Sequence, residues 1–185
     1  MLQRRKMLAD AINQLFLSLT EDKRMWVNAP VDMLETRIDS LEHQLRFLLV
    51  VRLTEARGED AWDQLVSTDM RNSIKSKIKK EEENKPFTAG QHEALEDKLK
   101  FCLFSDYIKM IKANWVLFQD VFGKEALLDQ YSSFAVSARN AIKHGNDLSN
   151  VDLASADAGL LWLEECLHRV KVTEESEEEM VAETV

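Results

Sequence analysis

The stretch LETRIDSLEHQLRFLLVVRL, residues 34–53, decides the fold class. Leu34, Ile38, Leu41, Leu45 and Leu48 recur at intervals of three and four, the repeat that lines up side chains along one side of an α-helix. From Leu45 to Leu53 the run turns apolar nearly all round, which predicts a central, buried helix. Pro30 and Asp32 stand just before it as start signals. A sheet needs alternating β-branched runs divided by frequent turns. With five Gly and two Pro in 185 residues and few such runs, the chain predicts an all-α fold, an antiparallel bundle with long central helices.

The same periodicity predicts a first helix from Met1 to about Leu19, carrying Leu8, Ile12, Leu15 and Phe16, and a connection from Thr20 to Pro30. After Arg57-Gly58 a helix is expected to start near Glu59. It carries Trp62, Leu65 and Val66 into the basic run of Arg71, Lys75, Lys77, Lys79 and Lys80. Asn84-Lys85-Pro86 ends it, and Thr88-Ala89-Gly90 continues a polar loop. Ser105-Asp106 reads as the cap of a helix with Ile108, Ile111, Trp115, Phe118 and Phe122, an aromatic stripe assigned to the core. Gly123 stops it. Lys124 to His144 forms the next helix, with Gly145-Asn146-Asp147 as a tight exit. Ser149 and Asp152 read as a capping box for the last helix, whose Ala154, Ala158, Leu161 and Trp162 share one side. From Glu174 the chain is too charged to repay its ordering entropy, so a disordered acidic tail is expected. The predicted organisation is residues 1–30 as an N-terminal helix and connection, 31–171 as one helical domain, and 172–185 as the acidic tail.

Several function classes are disfavoured on composition. The longest apolar run, Phe47 to Val51, is far too short to span a bilayer, and the N-terminus lacks a secretory cleavage pattern, so cytoplasmic residence without a membrane partner is expected. Cys102 and Cys166 sit singly in helical patterns and read as buried free thiols. His43, His92, His144 and His168 are scattered without metal-ligand spacing, so no metal site is expected, and His43, His92 and His168 read as surface or locally bonded histidines. Phosphate-binding glycine loops, nucleophile elbows and paired-carboxylate motifs are absent from the sequence, and no cofactor is implied. The net charge of −9 opposes a broad nucleic-acid surface, but six Glu and no base lie in Val172 to Val185, so most of the acidity is local.

The chemistry that remains is on the helix ending at His144. At about 100° per residue, Arg139, Asn140, Lys143 and His144 occupy one arc of roughly 140°. Leu127, Leu128, Tyr131, Phe134, Ala138, Ala141 and Ile142 fall on the other side. The polar arc is therefore expected to face away from the helix's own core. A guanidinium gives charge-assisted, fork-shaped hydrogen bonds to phosphate, and an imidazole moves protons near neutrality. Spacing alone fits an ordinary polar helix end equally well, since Lys and His there also oppose the helix dipole.

Further motifs add to the hexapeptide: Leu41-Glu42-His43-Gln44-Leu45-Arg46, Gly58-Glu59-Asp60-Ala61-Trp62, Phe104-Ser105-Asp106-Tyr107-Ile108, then Asn114-Trp115 and Phe118. With Arg139, Asn140 and His144, four residues intervening between the Arg and the His, the segment from about Asp32 to Leu167 resembles the HEPN domains, and most of all their Swt-like branch. The resemblance implies an antiparallel helical bundle that often forms a homodimer, with the motif helices meeting at the dimer axis. It also implies metal-independent endoribonuclease activity on RNA, in a toxin, defence or RNA-processing setting, with a protein partner or antitoxin as a further expectation. Carried over, His144 assists proton transfer as the ribose 2′-hydroxyl attacks phosphorus, Arg139 stabilises the phosphoryl charge, and Asn140 orients the imidazole or phosphate. Lys143 is a secondary phosphate-binding candidate. Glu42 and Arg46, at i and i+4, read either as support for the site or as a structural ion pair with each other, the latter favoured. A non-catalytic module binding RNA, a nucleotide or a protein partner through the same patch is the alternative. The basic run and the Pro86 loop look like a variable insertion.

Overall fold

A computed structural model describes residues 31–182, with side chains through Arg169. The expected helix at 1–19 and its connection lie outside the described residues. Among those described, helices and turns make up the regular structure and no strand occurs. The helices are α1 (31–57), α2 (Ala61–Leu65), α3 (Thr68–Asn84), α4 (Leu95–Leu99), α5 (Phe104–Ala113), α6 (Gln119–Phe122), α7 (Glu125–Lys143) and α8 (Asn150–Ala182). No described helix is long and apolar enough to cross a membrane.

The three-four repeat of α1 does what its spacing predicts. Leu34, Ile38, Leu41, Leu45, Leu48, Leu49 and Leu53 are all buried, and they meet Ile111, Phe118, Leu128, Ala135, Leu160 and Leu163 in one core. The expectation that this helix is enclosed on all sides is corrected by Phe47, which is 65% exposed. Among the described residues the buried side chains of α1 fall on its three-four stripe, and Phe47 lies off it.

α7 and α8 pack against each other extensively. They run antiparallel: Trp162 stacks on Tyr131 with ring centroids 4.9 Å apart, while Gly159, earlier on α8, lies beside Ala135, later on α7. α1 crosses the same pair with paired charges. Arg37 forks onto Glu164 through Nε at 2.9 Å and Nη2 at 2.7 Å, and its Nη1 bonds Asp157. The Glu164 bond chiefly, with Asp157, raises the Arg37 pKa against the opposing effect of burial.

Two predicted helices are broken in the structure. The chain expected to run unbroken from Glu59 into the basic run turns extended at Val66 and Ser67, and Ser67 Oγ accepts the Met70 N–H at 3.4 Å to cap α3. The aromatic helix ends at Ala113, because Asn114 leaves helical geometry and spends its side-chain amide on the carbonyls of Leu65, at 3.0 Å, and Met110, at 2.9 Å. Its start is also two residues earlier than expected: Asp106 accepts the N–H of Leu103, so Leu103 and not Ser105 is the boundary. The stripe nonetheless reaches the core through Phe118 and Phe122, carried on a 3-10 turn and the short α6. Leu127, assigned to the apolar side of α7, is 37% exposed because it lies at the helix's first turn, beyond its neighbours.

Local end signals behave as read. Ser149 and Asp152 bond reciprocally, with Ser149 N–H donating to Asp152 at 3.0 Å and Asp152 N–H to Ser149 Oγ at 3.2 Å. The Ser149 hydroxyl, which donates to Asp152 Oδ2 at 2.6 Å, and after it the Ser149 N–H hold the Asp152 carboxyl below the usual carboxylate range. At the far end, α8 extends as helical backbone to Ala182. Glu, Met and Ala propagate a helix once it is nucleated, and here the nucleus is the packed part of α8.

Tyr107 ties three elements together. Fully buried, its hydroxyl accepts from Arg46 Nε at 3.1 Å and donates to the Leu99 carbonyl at 3.0 Å. Tyr107→Phe strands both partners, and a loss of about 1–3 kcal/mol is expected. The shift in urea midpoint measures it; an unchanged midpoint would mean that water replaces the hydroxyl at no cost.

Both thiols are buried and free, as expected. Burial, with a contribution from Asp106, pushes the Cys102 thiol up to about 12, and burial also raises that of Cys166. Since the thiolate is the nucleophile, neither reacts readily near pH 8 in the folded chain. Titration with an aromatic disulfide reagent should release both equivalents promptly only after unfolding; prompt native-state release of either would contradict the packing.

Candidate functional site

The site is built on the last turns of α7. Its final residues, Arg139 to Lys143, are held in helical geometry by a glycine exit: Gly145, at φ +66°, donates to Ile142 O at 3.1 Å, and Asn146 donates to Ala141 O at 2.9 Å. This pair of bonds is the αL closure that a residue with a Cβ adopts only under strain. It stops the helix so that His144 becomes its C-terminal boundary residue, exposed to solvent.

The four predicted residues do not share one environment. Asn140, Lys143 and His144 are exposed, but Arg139 is not: its side chain is 19% exposed and packs toward α1. The expectation that the whole arc faces away from the core is therefore corrected. α1 lies against that side of α7, and the arginine end of the arc falls into the seam between them.

The seam is lined by complementary charges. Arg139 Nε donates to Glu42 Oε1 at 2.5 Å, and one turn further on Lys143 Nζ donates to Glu35 Oε1 at 3.1 Å. Glu35 and Glu42 are seven residues apart on α1, while Arg139 and Lys143 are four apart on α7, so the two rows run in opposite directions along antiparallel helices. The Lys143 pair, with both side chains about half exposed, contributes little to stability. The Glu42 pair is more enclosed, at 16% and 19%. Arg139 makes no other hydrogen bond among the described residues, so its terminal guanidinium nitrogens remain available to an anion.

This arrangement corrects the reading of Glu42 and Arg46 as a pair. Although spaced at i and i+4, they part company: Glu42 turns to Arg139, and Arg46 turns to Tyr107, lying 5.9 Å from its ring centroid. A single cross-helix bond to a partly enclosed guanidinium and a buried phenol offer each group a less solvated partner than its helical neighbour does. Glu42 thus supports the candidate arginine directly, and Arg46 belongs to the core network around Tyr107.

Among the described residues, neither a hydrogen bond nor an ion pair joins Arg139 to Asn140 or His144. Five residues separate Arg139 from His144, about 7.5 Å along the helix axis and about 140° around it, so Arg139 lies in the α1 seam while His144 stands exposed beyond the last helical residue. No group of three or more His, Cys, Asp or Glu side chains suited to a metal lies among the described residues. No protein-family model, curated protein or solved structure matches this chain.

Glu35 is the site residue that sequence reasoning missed. Its signal was available in the acid spacing on α1 set against the base spacing on α7, but a charge pattern does not name its partner helix. Glu42→Ala leaves a largely enclosed guanidinium without its carboxylate and is expected to cost about 1–3 kcal/mol, with Glu42→Gln intermediate. Denaturant melts of the two variants check it; equal stability of all three proteins would show that the pair contributes nothing.

Proposed function

We propose that this chain is a HEPN-type helical bundle that acts as a metal-independent endoribonuclease, its active site shared between two copies. The observation that carries the reading is His144, exposed at the end of α7 little more than one turn beyond an arginine that Glu42 holds through Nε alone. In the reaction, the 2′-oxygen forms a bond to phosphorus as its proton leaves to a base. The bond from phosphorus to the 5′-oxygen breaks as that oxygen receives a proton, leaving a 2′,3′-cyclic phosphate. The two transfers need a base and an acid, and each chain contributes one motif His, so a twofold dimer supplies an imidazole for each role. Arg139 stabilises the charge gathered on the non-bridging oxygens, and Asn140 orients the imidazole or the phosphate. Lys143 adds attraction once RNA displaces Glu35.

The test is incubation of the full chain with single-stranded and stem-loop RNA in EDTA. Cyclic phosphate ends are the expected product, and sedimentation should give a dimer at active concentrations. Intact RNA across both substrate types would sink the proposal. A second reading is favoured by one observation: Arg139 and Lys143 each already face a carboxylate, which lowers the charge available to a polyanion. On that reading the patch is a non-catalytic binding module for RNA, a nucleotide or a protein partner, and RNA binding without products is its signature.

A further inference from the structure

A second region, away from the end of α7, combines a cavity, a cluster of cations and an unsatisfied buried nitrogen. α2, the inner face of α3 and the segment leading into α4 enclose a cleft of ≈ 610 Å³, within the usual size range of small-molecule sites. Its apolar wall includes Trp62 and Ile78. Its rim carries Arg71, Lys75, Lys79 and Lys98 against two carboxylates, so the cleft is cationic on a chain whose net charge is −9.

Both carboxylates are already engaged. Asp63 is held by Arg71 at 2.7 Å, and Glu82 accepts the Gly90 N–H at 3.2 Å, which fastens the loop to α3. The lysines are less committed. Lys75 makes no hydrogen bond or ion pair among the described residues, Lys79 approaches only the exposed Glu83 at 3.9 Å, and Lys98 stands 5.5 Å from the Trp62 ring centroid. Three cations thus border one opening, and none of them is ion-paired with a carboxylate of the cleft.

His92 provides the independent observation. It packs edge-on against Phe101, with centroids 4.9 Å apart, and also lines the cleft. Its Nε2 is buried and has no hydrogen-bond partner, which corrects the expectation of an ordinary surface or locally satisfied histidine. A buried polar nitrogen left without a partner is uncommon in native structures and points to a group that the site receives.

We propose that this cleft binds a phosphate monoester carried on a planar ring, the chemistry of a nucleoside monophosphate. The phosphate lies among Lys75, Lys79 and Lys98, the ring lies along Trp62 and Ile78, and His92 Nε2 meets a polar edge of the ligand. The proposal does not depend on the ribonuclease reading, because none of these residues belongs to the α7 motif. The same chemistry comes from two sources, a free mononucleotide or one nucleotide of an RNA strand.

Calorimetric titration of the full chain with AMP, adenosine, inorganic phosphate and a short single-stranded oligoribonucleotide tests it, with the Trp62→Phe difference in fluorescence as a second readout. AMP or the oligonucleotide should bind saturably, with adenosine and phosphate each weaker by at least about 10-fold. The double variant Lys75→Ala/Lys79→Ala, at two exposed positions where folding is not at stake, should weaken binding by at least about 10-fold. The His92 imidazole nitrogen resonance should move on saturation. Binding of AMP alone assigns the cleft to a free nucleotide, and binding of the oligonucleotide alone assigns it to RNA. Absence of binding by both, or an undiminished affinity in the double lysine variant, overturns the site.

Discussion

His144→Ala is expected to abolish metal-free RNA cleavage, by about 10²–10⁴-fold, the usual contribution of a positioned acid or base. Folding should be unaffected, because the side chain is exposed and lies beyond the last helical residue, Lys143. Arg139→Ala should lose a comparable factor for a different reason, the removal of charge stabilisation at phosphorus, worth about 10²–10³-fold for a single donor. It should also lower stability, because Glu42 is left without its partner. The two variants are therefore separable: one loses activity at constant urea midpoint, the other loses both. Arg139→Lys refines the test, since it keeps the charge but not the fork that serves Glu42 and phosphate together. Full cleavage by the His144 and Arg139 variants alike would remove both residues from the reaction, and activity lost only in step with stability would leave Arg139 a structural cation.

The largest effect on folding is expected at Gly159. A Cβ added there stands 2.6 Å from the Tyr131 carbonyl oxygen, 3.0 Å from Phe134 Cβ and 3.4 Å from the Ala135 nitrogen. Two opposing effects meet in Gly159→Ala. Helix propensity favours alanine by about 1 kcal/mol, but the closest atom is backbone, so relief requires α7 and α8 to move apart along their main contact. Overpacking of this kind costs about 1–3 kcal/mol, and it should win. Gly159→Leu should prevent the pair from docking and unfold the domain. Ala158→Leu, one residue away and exposed, is the control and should stay within about 0.5 kcal/mol of the parent. Thermal melts of the three proteins decide the matter; a Gly159→Ala protein as stable as its parent would show that the helices separate freely.

These two sites are linked through α7. One side of that helix is pressed to α8 closely enough to require Gly159, and this places the Arg139 side in the seam with α1. Loss of the α7–α8 contact should therefore release the Glu42 bond as well. Partly destabilised Gly159 variants are expected to lose RNA cleavage before they lose helical content, since the site depends on the relation between helices.

Much of the fold was legible because its signals are local. The three-four repeat from Leu34 to Leu53, the Gly123 stop, the Gly145 exit and the Ser149–Asp152 box each act within a turn or two of helix, where sequence neighbours are also spatial neighbours. The exposure of His144 was legible too. The breaks at Ser67 and Asn114 were not. Asn114 leaves the helix for a carbonyl on Leu65, a partner 49 residues away that periodicity does not name.

By itself, then, the sequence determined that this chain is helical, where α1, α3 and α7 end, and that a cation and an imidazole lie within the last turns of α7 and its boundary. Only the tertiary structure decided that Glu42 serves Arg139 and not Arg46, that Arg139 is enclosed while His144 is open, and that His92 lies with an unpartnered nitrogen in a cationic cleft. The physical reason is range. Capping and periodicity are settled by bonds within a few residues, whereas a side chain's partner, burial and charge environment depend on which helices pack together and at what register, and that is settled by the core as a whole.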